Sequence, residues 1–370
     1  MKLLIINPGS TSTKVSVFEG RACLCEQNIF HDAPELMRFS DVNSQLPFRK
    51  QIVLDFLQRH GMTLGDIDIF VGRGGSAYPQ PSGVTRVDDR LYRDTEARVG
   101  GSDHPACLGV MLAYTFSRET GKPAYTLDPT NVDELCDEAR LTGIRGVYRN
   151  AQSHVLNQKA VAMSYAHSTG RKYEELRLIV AHIDGGITVN AHDRGRMVDG
   201  NVGAGGDGPL TPTRTGAVPV LALTEYLKDH SLAQVAADCS RAGGFVSFFG
   251  TSDADKVHAL VEQGDEKACL VWRTMIYQIA KEIGAMSTVL CGKTDAILLT
   301  GGLLRFSDIE EGLRARCGWI APVLAFPGER EQEALAHAVV RALNGESPIL
   351  TYQGKPVWEG FAWDRAEKGD

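Results

Sequence analysis

Leu3-Leu4-Ile5-Ile6-Asn7-Pro8-Gly9-Ser10-Thr11-Ser12-Thr13-Lys14-Val15-Ser16-Val17-Phe18 is the stretch that decides the architecture. Leu3 to Ile6 is an apolar run of strand length. A Gly/Ser/Thr turn from Gly9 to Thr13 interrupts it, and Val15 to Phe18 forms a second strand-like run closed by Glu19-Gly20-Arg21. The same plan returns 175 residues further on. Leu178-Ile179-Val180-Ala181 is the first strand, Asp184-Gly185-Gly186 the turn, Ile187 to His192 the second strand, and Arg194-Gly195-Arg196 the close. Leu3–Arg21 and Leu178–Arg196 align without a gap, with identity at Leu3/Leu178, Thr13/Thr188, Gly20/Gly195 and Arg21/Arg196.

Each copy is followed by a second shared element. Ile67 to Val71 reads as a strand ending at Gly72-Arg73-Gly74-Gly75, and Ala296 to Leu299 as a strand ending at Thr300-Gly301-Gly302. Helices fill the intervals. The clearest spans about Ala268 to Leu290, where Trp272, Ile276, Ile279, Ile283, Met286 and Leu290 recur at spacings of four and three, the period of one helix face. Shorter helices are expected at Pro105–Arg118, Val132–Arg140, Ser153–His167 and Glu331–Leu343. Strands mixed with helices make an α/β protein. Two related halves predict a ligand cleft between them.

Composition narrows the functional class. The chain has 370 residues, 43% of them hydrophobic, enough for two or three domains. A net charge of -7 argues against a nucleic-acid partner, which would need clustered Lys and Arg. No apolar run approaches the roughly 20 residues that span a bilayer, and Leu3–Ile6 is too short for a secretory leader. The eight cysteines lack a CxxC pair, so buried, reduced thiols in a cytoplasmic protein are expected.

Three glycine-rich turns carry the chemistry. Gly9, Ser10, Ser12 and their neighbours present backbone N–H groups and hydroxyls to an anion, and Lys14 adds a charge that can reach a phosphate. The spacing is not that of a Walker A loop. Gly185 and Gly186 offer bare backbone that a phosphate can approach closely. Gly301 and Gly302 end a strand where a nucleotide base or ribose can pack against backbone.

The pattern resembles the superfamily of acetate and sugar kinases, Hsp70 and actin. Within it, several segments resemble the butyrate kinases of the acetokinase family: Leu4 to Lys14, Val71-Gly72-Arg73-Gly74-Gly75, Asp128-Pro129 with Val132-Asp133-Glu134-Leu135, Leu156 to Ala162, and Ile179-Val180-Ala181-His182. The resemblance runs from Met1 to about Tyr352. It implies two ribonuclease H-like domains flanking an active-site cleft, residues 1–150 with 331–370 and residues 151–330. It further implies ATP-dependent phosphorylation of a short-chain fatty acid, butyrate first, with acetate, propionate or isobutyrate as alternatives. A non-catalytic nucleotide sensor on the same fold is the rival of a different class.

The resemblance also implies roles. Arg73 receives the substrate carboxylate, and Arg214 is the second active-site arginine. Asp128 stands beside the transferring phosphoryl group. His154 and His182 are active-site histidines, and His104 is a weaker match. Asn7, Asp128 and either Glu329 or Glu331 hold magnesium or its water, the choice between the two glutamates staying open. ATP or ADP lies on Asn7, Gly9, Ser10, Ser12, Lys14, Asp184, Gly185, Gly186, Gly301 and Gly302. A homodimer or higher oligomer, and coupling to a phosphate acyltransferase, are implied as well. A fatty-acid carboxyl, with a pKa of roughly 4 to 5, is already ionised at neutral pH. Asp128 is therefore expected to orient magnesium rather than remove a proton. Asp184 replaces the family's usual glycine, and a carboxylate beside phosphates repels them unless a cation bridges or the side chain turns away. The loop Gly203–Pro209 is also richer in glycine than the family pattern.

Overall fold

The computed structural model describes residues 1–101 and 104–367. Its strands are β1 (Lys2–Pro8), β2 (Ser12–Glu19), β3 (Ala22–Phe30), β4 (Ile69–Gly72), β5 (Val84–Arg86), β6 (Ala124–Leu127), β7 (Arg177–Ile183), β8 (Ile187–Asp193), β9 (Arg196–Gly200), β10 (Ala296–Gly301), β11 (Val323–Pro327) and β12 (Ile349–Thr351). The chain packs as two compact units, Met1–Asp133 with Arg330–Asp370, and Glu134–Glu329.

The first unit is built on a sheet of order β12-β5-β6-β4-β1-β2-β3. Strand β1 runs antiparallel to β2 and parallel to β4. Leu3, Leu4, Ile5 and Ile6 are all fully buried, as a central strand covered on both faces requires. Strand β3 alternates exposed and half-buried residues, the signature of an edge. The helix Cys107–Thr120 lies against the ends of β1 and β4 without the usual gap. A Cβ on Gly72 would sit 2.0 Å from the Gly109 carbonyl oxygen, and one on Gly109 would sit 2.4 Å from that of Arg73. Two glycines thus bring helix and strand end together, and the Val110 N–H donates to the Arg73 carbonyl. The helix Glu331–Leu343 returns to this unit, where Gln332 Nε2 donates to Ser16 Oγ at 2.9 Å.

The second unit has a sheet of order β11-β10-β7-β8-β9. An antiparallel meander, β7-β8-β9, is extended by parallel strands β10 and β11. This is the order β6-β4-β1-β2-β3 of the first unit over again. Strands β1 and β7 begin at Lys2 and Arg177, and β2 and β8 at Ser12 and Ile187, so the sequence echo holds to the residue. The long helix runs Glu266–Val289, capped by Asp265 accepting from the Ala268 N–H, and its predicted stripe lies in the core.

Three expectations change. The helix Val132–Arg140 is reduced to Asp137–Arg140. The Asp133 N–H donates to the Gln80 carbonyl, and Glu134 Oε2 accepts from Lys159 Nζ and the Met197 N–H, both at 2.8 Å, which holds the chain extended. Residues 134–150 accordingly join the second unit: Cys136 N–H bonds the Val198 carbonyl, and Arg149 pairs with Asp199 at 2.9 Å. All eight cysteines are free, but only Cys107 and Cys317 are buried, while Cys23 and Cys291 are exposed. Among the described residues, no helix is long and apolar enough to cross a membrane.

Candidate active site

In the first unit, the β1–β2 turn is closed by the Gly9 N–H donating to the Ser12 carbonyl at 2.8 Å, leaving Ser10 and Thr11 exposed at its tip. The turn is held from beneath by Arg49, on a helix (Leu46–Arg59) that the sequence reading did not identify. Its fully buried guanidinium donates to the Ser12 carbonyl at 2.7 Å and to Thr13 Oγ1 at 3.0 Å. Burial lowers its pKa to about 10, still far above neutrality, so a positive charge lies under the turn. Lys14 does not extend toward the tip. Its Nζ pairs with Glu26 Oε1 on β3 at 3.0 Å.

Arg73, just beyond β4, meets the start of the helix Glu331–Leu343. Its Nη1 lies 2.9 Å from Glu331 Oε2 and 3.4 Å from Asn7 Oδ1, and Asn7 Nδ2 donates to the same Glu331 oxygen at 2.7 Å. Glu331 is 3% exposed, yet its Oε1 has no hydrogen-bond partner among the described residues. A buried carboxylate oxygen without a partner is costly unless something outside the chain completes it. Gly74 and Gly75 run close beneath the Asp128 turn, where a Cβ on Gly75 would lie 2.6 Å from Thr130 Oγ1. Asp128 is buried at the end of β6 with φ +39°, a left-handed conformation that costs energy in a non-glycine residue. Its Oδ1 accepts from Ser82 Oγ at 2.7 Å and from the Gly83 N–H at 2.8 Å. His104 Nδ1 accepts from the Ala106 N–H, a local turn contact; Ser102 and Asp103 lie outside the described residues.

In the second unit, Arg214 is brought to the β7–β8 turn by its neighbours. Thr211 Oγ1 and Thr213 Oγ1 both donate to the Gly185 carbonyl, at 2.8 and 2.9 Å. The guanidinium then lies so close to Gly186 that a Cβ there would fall 2.1 Å from Nη1. Arg214 Nε and Nη1 are buried and have no partner among the described residues, and burial pushes the guanidinium pKa down. Gly203, from the glycine-rich loop, packs against Thr188 and Arg214. His154 and His182 stack, with ring centroids 3.9 Å apart. Beyond His182 stands Glu329, 4.0 Å from its Nε2. His182, Asp184 and Glu329 bring one ligand atom each within 4.8 Å of one another.

Asp184 directs its carboxylate at backbone N–H groups of its own turn and of the Thr300–Gly302 turn. Its Oδ2 accepts from the Gly302 N–H at 2.7 Å and its Oδ1 from the Gly185 N–H at 2.8 Å. One carboxylate therefore ties the second turn to the third, and its charge is directed at backbone donors. A neighbouring glycine could do neither. Asp184→Gly removes both bonds and is expected to lower stability by about 1.5–3 kcal/mol in denaturant melts, the worth of hydrogen bonds to a charged group. Unchanged stability would show that the Thr300–Gly302 turn is held without this anchor.

The model of the acetokinase family matches residues 142–309, which include both stacked histidines, Arg214 and two of the three glycine turns. The chain is structurally similar to the acetate kinase of Porphyromonas gingivalis at TM-score 0.77 and 17% identity, over 92% of this chain and 99% of that one. It is similar to a propionate kinase from Francisella tularensis subsp. tularensis SCHU S4 at TM-score 0.71 and 15% identity, over 91% and 98%. The acetate kinase of Entamoeba histolytica gives TM-score 0.70 and 16% identity, over 93% and 99%. The fold is that of the acetate kinases. Within the acetate-kinase fold, the first unit of this chain gathers Asn7, Arg73 and Glu331, and the second gathers His154, His182, Arg214 and the paired glycine turns. The contributors to which sequence reading gave no role are Arg49, Ser82, Thr211, Thr213, Asn157 and Gln158. The first four are polar residues that no motif singled out, and the two amides were visible only as part of the Leu156–Ala162 resemblance.

Proposed function

We propose that this chain transfers the γ-phosphoryl group of ATP to the carboxylate of a short-chain fatty acid, with butyrate the acid its motifs favour. The observation that carries the reading is Arg214: a half-buried guanidinium whose Nε and Nη1 are buried without a partner among the described residues, pressed against a glycine turn, is suited to receive an anion. A phosphoryl group in flight spreads charge over its equatorial oxygens, and such donors stabilise it. The substrate carboxylate attacks phosphorus as the bond to the bridging oxygen breaks, giving an acyl phosphate and ADP. No proton has to leave, because the acid is already ionised. Arg73 orients that carboxylate, and Asp128, fixed by Ser82 and Gly83, orients the polar groups beside it.

Magnesium fits the first unit. Glu331, with its unpartnered Oε1, and Asn7 would hold it, and the oxygen donors are of the kind that hard cation takes. When bound, it would neutralise phosphate charge. The reaction is reversible, and in a fermenting cytoplasm it would form ATP from acyl phosphate supplied by a phosphate acyltransferase.

Hydroxamate trapping of acyl phosphate, with ATP, magnesium and a panel of acetate, propionate, butyrate and isobutyrate, tests the reading. Product is expected with butyrate above the others. ADP binding without product from any acid would replace the enzyme by a nucleotide sensor, and product from acetate alone would correct the acid. Arg73→Ala is expected to raise KM for the acid roughly 10- to 100-fold, the worth of about 1.5–3 kcal/mol for a charge-assisted hydrogen bond. Full activity in that variant would remove Arg73 from the substrate site.

A further inference from the structure

Behind the stacked histidines lies a set of buried polar side chains that no step so far uses. Asn157, Gln158, Thr188 and His192 are all fully buried. Asn157 and Gln158 are consecutive on the helix Val155–Ser168. His154 Nδ1 lies 2.8 Å from Thr188 Oγ1, and Gln158 Nε2 lies 2.8 Å from the same hydroxyl. Gln158 Oε1 faces His192 Nε2 at 3.1 Å, and His192 Nδ1 meets the Tyr173 hydroxyl at 2.7 Å.

The polarity of this chain is fixed by a group that can only accept. The end of the Gln158 amide that touches Thr188 Oγ1 also lies 3.1 Å from the Thr188 carbonyl oxygen, so it must be the NH2 end. The same nitrogen reaches Asn190 Oδ1 at 2.9 Å, which Ser153 Oγ also approaches at 2.7 Å. Oε1 therefore faces His192, whose Nε2 must carry hydrogen. Burial holds the His192 pKa down at about 3, with the Lys159 charge adding to it, so the ring is neutral and its Nδ1 accepts from Tyr173. Thr188 Oγ1 accepts from Gln158 at 2.8 Å and from the His154 backbone N–H at 3.5 Å, so both its acceptor sites are used and its single hydrogen is left for His154 Nδ1. The ring hydrogen of His154 then resides on Nε2.

His182 is fixed in the same way by the adjacent amide. Thr300 Oγ1 donates to the Gly328 carbonyl at 3.1 Å, so toward Asn157 it can only accept, and the Asn157 group 3.1 Å away is Nδ2. That same Nδ2 lies 2.9 Å from His182 Nδ1, which must accept, leaving hydrogen on Nε2. The repeat supplies an independent parallel. In the first unit the matching hydroxyl, Thr13 Oγ1, accepts from Arg49 and faces His31 Nε2 at 2.8 Å. In both halves, the threonine at the same place in the repeat joins an obligate donor to a histidine.

We propose that Asn157, Gln158, Thr188 and His192 are positioning residues that lock both stacked imidazoles as Nε2–H tautomers, so that the pair offers two fixed N–H donors to the oxygens of the transferring phosphoryl group. The last clause rests on the proposed kinase reaction; the tautomer lock itself does not. Two neutral rings stack without the repulsion that two imidazolium ions would bring, and fixed donors need no reorganisation as charge develops.

Long-range 1H–15N correlation spectra of histidine-labelled protein read each ring's tautomer directly, with no substrate present. His154 and His182 signals are assigned by their loss in His154→Gln and His182→Gln. Both wild-type rings are expected to give the neutral Nε2–H pattern. Thr188→Val, which keeps shape but removes the hydroxyl, is expected to move only the His154 signals toward a mixture. It should lower kcat about tenfold with KM for ATP within twofold, and Thr188→Ser should restore both. A wild-type Nδ1–H or doubly protonated pattern in either ring overturns the proposal, as does an unchanged His154 pattern in Thr188→Val. The expected pattern in a chain that makes no acyl phosphate from any acid would uphold the lock and overturn the reaction.

Discussion

Arg214→Met is expected to lower kcat about a thousand-fold while leaving the fold as stable as before, or more so. Both halves of this result come from the same observation. Arg214 Nε and Nη1 are buried without a partner among the described residues, so the native fold carries a guanidinium whose desolvation is not offset by bonds at those two nitrogens. Replacing even a buried ion pair by apolar side chains of similar volume is often neutral or stabilising, by about 1–4 kcal/mol, and a guanidinium without a counter-charge has less attraction to lose. The position survives in the folded protein because the surrounding loop imposes it. Thr211 and Thr213 are bonded to the Gly185 carbonyl, the Thr211 N–H to the Arg214 carbonyl, and the Gly243 N–H to that of Thr213. None of these bonds uses the Arg214 side chain, so methionine leaves the loop in place. What is lost is the donor aimed at the glycine turn, and removing one preorganised donor from such a site costs roughly 10²–10³ in kcat. Thermal melts beside steady-state kinetics separate the two effects. A melting temperature that falls by several degrees together with activity would mean that Arg214 holds the structure and receives nothing.

The parts of this molecule that sequence could show are those encoded by local pattern. Leu3–Ile6 and Leu178–Ala181 are central strands because an unbroken apolar run can only be satisfied by cover on both faces. The stripe from Trp272 to Leu290 found its core because a 3.6-residue period admits one buried face. The glycine turns were visible as composition. Gly72 before Arg73 has a mechanical reason that composition alone does not give, namely the passage of the helix at Gly109. The polar wiring was not legible. Thr13 and Thr188 stand out as an identity in the repeat, yet their partners, Arg49 and Gln158, are distant in sequence and sit on helices where amphipathic pattern treats them as ordinary polar positions. Arg49 lies on a helix that no motif marked, and Val132–Arg140 looked helical until Gln80 and Lys159 held its start extended. In that last case a long-range hydrogen bond overrode a local preference.

The two glutamates that spacing alone left equivalent stand in different surroundings, and opposite results are expected from their substitution. Glu331→Gln is expected to raise the magnesium concentration needed for half-maximal rate more than tenfold and to lower kcat about a hundred-fold, whereas Glu329→Gln should change either by less than about threefold. Glu331 opens the helix that packs on the first sheet, is buried, and shares one oxygen between Arg73 and Asn7 while the other has no partner. Its charge has no solvent to screen it, and an unfilled lone pair beside an asparagine is what a hard cation would complete. Glu329 belongs to the other unit, its side chain is 44% exposed, and its oxygen lies 4.0 Å from His182. Water can replace whatever an exposed carboxylate loses, so its substitution costs little. The glutamine at 331 keeps the shape but leaves Arg73, only 15% exposed, without its counter-charge, which should also lower stability by about 3 kcal/mol. That loss gives the test its internal control. A destabilised Glu331→Gln protein whose magnesium requirement is unchanged would make Glu331 a structural partner of Arg73, and a raised requirement in Glu329→Gln instead would move the metal to the group formed with His182 and Asp184.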